Sequence, residues 1–207
     1  MSGSPQDTTE ITHSQFLTGT ALFEGGLLFV AFVLGWLLDV DPTGMLTWSW
    51  QDLFNGVLAT VPMIILLLIC FLSRWKGILS IRTFLRDVLG PLLSRCRIHD
   101  LVLLALLAGV CEEILFRGFL YGWLAPINGT LAIIVSNTLF GAAHAITPVY
   151  GLLAGFMGLY LTALLAVDSS PNLLIPVVAH AVYDFVAFLF VVRDYRRRPA
   201  SAAGSRA

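Results

Sequence analysis

Glu112, Glu113 and Arg117 stand together in the apolar string Cys-Glu-Glu-Ile-Leu-Phe-Arg-Gly-Phe-Leu at 111–120. Of the 12 Lys and Arg residues, Arg117 is the one that lies inside an apolar segment. An ionised side chain at membrane depth costs about 2.5–3.5 kcal/mol on insertion scales, so it persists where it is paired or lines a polar cavity. Glu113 and Arg117 share a helix face and can pair. Glu112 is turned from Glu113 by about 100°. One carboxylate can be held ionised by the guanidinium while the other is left for proton transfer. A carboxyl group in apolar surroundings suits general-base work near neutrality. The alternative reading of the triplet is a buried polar knot that ties helices together.

Two further apolar segments carry polar residues at the same helical spacing. Phe140-Gly-Ala-Ala-His144 puts Phe140 and His144 on one face, with Asn137 one turn earlier. His180-Ala-Val-Tyr-Asp184 repeats the arrangement. A carboxylate beside an imidazole can orient the ring, take a proton from it, or complete a metal shell. Carboxylates, imidazoles and a basic anchor are the inventory of a hydrolase. At about 1.5 Å per residue, Glu112 and His180 come near mid-membrane and His144 several ångströms nearer the cytoplasm, so helix tilt must close the gap. No covalent nucleophile is assigned; Ser136 is the nearest hydroxyl, and a base-activated water explains more of the residues.

The elements that must position these groups are membrane helices. The chain has 207 residues, 57% hydrophobic and 12% charged, against about 25% charged for a soluble domain. The predicted fold is all-α, a polytopic membrane bundle. Segments of spanning length are expected at 16–38, 53–73, 100–123, 130–147, 149–167 and 172–192, with Pro148 marking a tight turn between the fourth and fifth. Arg74, Lys76, Arg82, Arg86, Arg95 and Arg97 fall between the second and third, and Arg193, Arg196, Arg197 and Arg198 follow the sixth. The loop after the first span carries Asp39, Asp41 and Asp52 and no Lys or Arg. Six spans with both termini inside put every basic loop residue on the cytoplasmic face. The plasma membrane is the expected location.

The stretch 78–93 is amphipathic: Ile78, Ile81, Leu85, Val88, Leu89 and Leu92 recur at helical spacing. It reads as a cytoplasmic interfacial helix with a break near Gly90-Pro91. The expected organisation is a tail (1–15), two spans with a basic interfacial segment (16–97), a catalytic membrane unit (98–192) and a basic tail (193–207), disordered beyond Arg198. The N-terminus has no basic n-region, so no removable signal peptide is expected. Cys70, Cys96 and Cys111 fit no disulfide or C-x-x-C pattern and read as buried or unpaired thiols rather than metal or redox sites. The net charge of −1 says nothing about partners, because the distribution of charge matters more than the sum, and no basic footprint points to nucleic acid; the expected partners are the bilayer and a membrane-associated peptide or protein substrate.

Other residues have weaker claims. Glu24 either faces the cavity and touches substrate or bonds a neighbouring helix. Gly151, Gly155 and Gly158 read as close-packing positions. Tyr183 and Trp123 read as interfacial or packing residues, with substrate contact as the alternative, and His13 and His99 as solvated or interfacial.

Taken together, Glu112-Glu113-x-x-x-Arg117, Phe140-x-x-x-His144 and His180-x-x-x-Asp184, in that order on three apolar segments, resemble the CAAX-protease and bacteriocin-processing (CPBP, Abi) family of intramembrane proteases. The resemblance covers roughly 100–192. It implies an endopeptidase for a membrane-associated substrate: C-terminal processing of CAAX type, or bacteriocin or peptide maturation and immunity. It implies Glu112 as general base, His144 holding the attacking water, His180 and residue 184 near the oxyanion, and Glu113 with Arg117 in support. The family often has Asn where this chain has Asp184. An ionised Asp184 would repel the oxyanion, so it must be protonated or orient His180 instead. Members are often called metalloproteases, and Glu112, His144 and His180 are chemically a reasonable Zn²⁺ set; a metal-free Glu–His pair can also activate water. Outside the resemblance, two rival readings remain: a proton-coupled carrier, since buried Glu, His and Arg also build proton relays, and an inactive immunity or scaffold protein.

Overall fold

The computed structural model describes residues 11–167 and 170–197, so the 1–10 segment, Asp168, Ser169 and the tail from Arg198 onward lie outside it. The fold is all-helical. In chain order the helices are α1 (His13–Leu38), α2 (Trp50–Leu72), α3 (Lys76–Phe84), α4 (Gly90–Leu93), α5 (Ile98–Glu113), α6 (Gly122–Leu124), α7 (Gly129–Ala143), α8 (Pro148–Leu164) and α9 (Leu174–Arg196). Two stretches, Leu85–Leu89 and Ile114–Tyr121, wind as π-helix.

Local sequence accounts for most of the boundaries. Thr12 caps α1 in a capping box with Gln15, and Asp39 ends it in the left-handed conformation. Ser49, Asn128 and Thr147 each accept a backbone N–H at the start of α2, α7 and α8. Pro148 sits in the first turn of α8, where its missing N–H costs nothing, and the turn before it joins two short apolar helices. Among the described residues, α1, α2 and α9 have the length and hydropathy of membrane spans, and α7 and α8 are shorter apolar helices. The third expected span is present as a continuous helical run from Ile98 to Leu124, interrupted as α-helix by the π stretch. Its charges and its widened turn set it apart from the uniformly apolar helices.

The expected break near Gly90-Pro91 is a widening instead. The helix from Lys76 runs on to Leu93 through the π stretch Leu85–Leu89. Proline has no N–H and its ring crowds the carbonyl four residues back, and one wide turn relieves this without ending the helix. Ile78, Ile81 and Leu93 are buried on its inner face. Arg82 anchors it, donating to the Phe71 carbonyl at 2.7 Å and pairing with Asp194 at 3.4 Å.

Helix α9 is the centre of the bundle, with α2 and α5 against it and α8 alongside. Glycines bring the neighbours close. A Cβ on Gly109 of α5 would lie 2.9 Å from Ala181 of α9. Gly109→Ala must push the two helices apart, at a cost of about 1–3 kcal/mol. The expected result is a lower melting temperature in detergent. The outward surface is apolar: Leu22, Phe29, Trp36, Ile69 and Phe156 are exposed. Apolar exposure this extensive needs lipid to cover it, and this is a membrane protein.

Candidate active site

The end of α5 and the middle of α9 meet at Glu113 and His180. Glu113 is fully buried, and its Oε1 accepts from Arg117 Nη1 and His180 Nδ1, each at 2.8 Å. The i,i+4 pair is the one the spacing predicts. The bond to His180 crosses between helices, and it fixes the ring: Nδ1 carries hydrogen toward Glu113, which leaves Nε2 facing Asp184 Oδ2 at 3.6 Å. The carboxylate that orients His180 is therefore chiefly Glu113, while Asp184, on the same helix, stands further off.

Arg117 lies in the π stretch and has no exposed surface. Besides Glu113, it donates through Nη2 to the Gly158 carbonyl at 2.8 Å and Asn137 Oδ1 at 3.3 Å, and through Nε to Thr162 Oγ1 at 3.3 Å. Thr162 donates in turn to Asn137 Oδ1 at 3.1 Å. The guanidinium stacks over the Phe140 ring, 4.4 Å from its centroid. A Cβ on Gly158 would lie 2.8 Å from both Arg117 Nη2 and Asn137 Oδ1, so this glycine makes room for the guanidinium as well as for helix packing. One residue thus ties the π stretch to α7 and α8, and a buried cation with this many partners is a fixed structural charge. Thr162 escaped the sequence reading, because a lone Thr in an apolar helix carries no spacing signal.

Phe140 is the hub between the motifs. It packs edge-on to Phe116 and to His180 and lies tilted against His144, 4.5 Å away. His144 ends α7 as its C-cap. Its Nδ1 donates to the Phe140 carbonyl at 2.9 Å, and its Nε2 lies 3.6 Å from Glu112 Oε2. The depth gap expected between His144 and Glu112 is closed. Glu112 is buried and its Oε2 has no hydrogen-bond partner. Two polar atoms with unused capacity therefore face each other. A cavity of about 200 Å³ opens beside them, lined by His144, Tyr150, His180, Tyr183, Asp184 and by Arg82 among apolar side chains. The helical run from α3 to α4 closes one wall of it through Ile78, Ile81 and Leu85, and Glu112 meets it through His144.

The remaining residues sort themselves plainly. Glu24 is buried on α1, and its Oε2 is unpartnered. Ser136 spends its hydroxyl on the Ala132 carbonyl of its own helix at 2.7 Å. Trp123 stacks on Phe119 in a packing role, and Tyr183 lines the cavity. Cys70, Cys96 and Cys111 are free thiols.

The side-chain positions do not assemble the Zn²⁺ set of Glu112, His144 and His180. Both ring nitrogens of His180 are turned to Glu113 and Asp184, while His144 faces Glu112. A shared ion would take His180 through Nε2, with Nδ1 still on Glu113, and would need the side chains of Glu112, His144 and His180 to turn toward one another. Among the described residues, the trio whose ligating atoms lie within 4.8 Å of one another is His13, Cys96 and Asp100, elsewhere in the fold.

Compared with known proteins, residues 95–186 match the family model of the type II CAAX prenyl endopeptidases, Rce1-like. No curated protein matches the chain, and no solved structure does.

Proposed function

Residues 95–186 belong to the CAAX-protease family, matching its type II CAAX prenyl endopeptidase, Rce1-like, model, and from that premise we propose that this membrane protease is an intramembrane endopeptidase that hydrolyses its substrate with a water activated by Glu112 and His144. The observation that carries the reading is the facing pair itself, Glu112 Oε2 and His144 Nε2 at 3.6 Å, both unclaimed by other protein groups and beside an apolar cavity.

In this reading a water held between them gives its proton to Glu112. Its oxygen attacks the scissile carbonyl carbon, and the displaced electron pair forms an oxyanion. His180, charged and held between Glu113 and Asp184, donates to that oxyanion through Nε2. Collapse breaks the C–N bond, and the proton on Glu112 passes to the leaving amine. Glu113 and Arg117 are positioning residues: they hold His180 and keep a net charge from being stranded in the membrane. The apolar lining suits the side chains or lipid of a membrane-associated substrate, of CAAX type by family.

The test is cleavage of membrane-tethered peptides by the purified protein beside its Glu112→Gln and His144→Ala variants. Cleavage by the wild type and loss in both variants is expected. Equal cleavage by all three would overturn the reading and favour a scaffold role; proton-driven uptake by vesicles containing the protein would favour a carrier. Asp184→Asn makes a second prediction. Glu113 already orients His180, and an amide adds a donor where the carboxylate had none. Cleavage is expected to fall by less than about tenfold, well short of the ~10²–10³ that follows removal of an oxyanion donor.

A further inference from the structure

A second cluster of chemically competent side chains lies at the junction of α1 and α5. His13 opens α1, Cys96 lies in the turn that follows α4, and Asp100 is in the first turn of α5. These come from segments far apart in sequence, yet their ligating atoms all lie within 4.8 Å of one another. His13 Nε2 is 3.1 Å from Asp100 Oδ2, and His99 Nε2 is 3.4 Å from Asp100 Oδ1. Asp100 also accepts the Arg97 N–H at 2.8 Å, which fixes the carboxylate at the helix start.

We propose that His13, Cys96 and Asp100 form a site for a divalent cation of the Zn²⁺ class, which staples the start of α1 to the start of α5, with His99 as the fourth ligand. Thiolate, imidazole and carboxylate are the donors such an ion takes, and four of them satisfy a closed tetrahedral shell. Bond lengths of about 2.0–2.3 Å put the donors of such a shell roughly 3.3–3.7 Å apart. The cluster closes to that size by side-chain rotation, for which the half-exposed His13 and the 72% exposed His99 are free. Cys96 has little to give up, since its Sγ lies a long 3.6 Å from the Leu92 carbonyl. Cys96 would bind such an ion as the thiolate, releasing its proton.

The cluster is separate from the proposed catalytic centre. Asp100 precedes Glu112 on the same helical run by about 18 Å at the usual rise per residue. The staple also has a consequence for that centre. It fixes the register of α1, which carries the buried Glu24, against α5, which carries Glu112. Chelation would then act on stability and alignment rather than on the chemistry.

The experiment titrates the full-length protein, chelated and kept reduced in detergent, with Co²⁺ as a spectroscopic probe. A thiolate-to-cobalt charge-transfer band is expected to rise to a single equivalent. It should disappear in Cys96→Ser, and affinity should weaken by at least about tenfold in His13→Ala. It should survive in a Glu112→Gln, His144→Ala double variant, which separates this site from the catalytic one whether or not that one cleaves peptides. Zn²⁺ should raise the melting temperature of the wild type and not of Cys96→Ser. Absence of the band from folded wild-type protein would overturn the proposal, as would a band that persists in Cys96→Ser.

Discussion

A Glu112→Gln enzyme is expected to keep its fold and lose cleavage by a factor of about 10²–10⁴, the usual contribution of a positioned general base. Glutamine matches the volume and removes the ability to take a proton. Glu112 Oε2 has no protein hydrogen-bond partner, so the substitution breaks no bond and strands no charge. The melting temperature should therefore stay near that of the wild type. Initial rates on a tethered peptide and a melting curve in the same detergent check both halves. An active Glu112→Gln enzyme, within tenfold of the wild-type rate, would remove Glu112 from the chemistry and leave it a packing role.

Arg117→Met is expected to do the reverse, with stability lost first and activity following. The guanidinium and the Glu113 carboxylate are both without exposed surface, and Arg117 also holds the Gly158 carbonyl, Asn137 and Thr162. Removing one partner of a buried pair leaves an uncompensated charge and typically costs about 3–5 kcal/mol. The thioether side chain fills much of the volume, so the loss reports charge and hydrogen bonding rather than a void. Adding Glu113→Gln to Arg117→Met should return part of that stability, because the stranded charge is gone. The double variant should remain poorly active, since His180 then lacks the carboxylate that orients it. A single Arg117→Met variant as stable as the wild type would show that the pair contributes nothing net, and would transfer the anchoring role to Phe140 and the α7–α8 glycines.

The two expectations differ because the two adjacent glutamates differ in surroundings, and this was largely readable beforehand. Spacing on a helix puts Glu113 with Arg117 and turns Glu112 away. Three long apolar helices were also readable, though not their ends: expected spans at 16–38, 53–73 and 172–192 correspond to His13–Leu38, Trp50–Leu72 and Leu174–Arg196. Caps, turn residues and runs of apolar residues are local, and local signals survive in a linear sequence. The π stretches were not readable, since Ile114–Tyr121 has the composition of an ordinary apolar helix. Its widened turn follows from what surrounds it: Arg117 has to reach α7 and α8, and the Pro42 carbonyl lies against Gly118. That Glu113 also holds His180 was not readable, because Asp184 is near in sequence and Glu113 is not.

By itself the sequence determined an all-helical membrane protein with three polar motifs, each confined to one face of its own helix. That follows from composition and from the periodicity of the helix, which fixes neighbours within a segment. Contacts between segments depend on which helices approach and how closely, and here small residues such as Gly109 and Gly158 set those distances without any periodic mark. Only the tertiary structure decided that His180 is held by Glu113, that Glu112 is left facing His144, and that Cys96, read alone as an unpaired thiol, stands with His13 and Asp100.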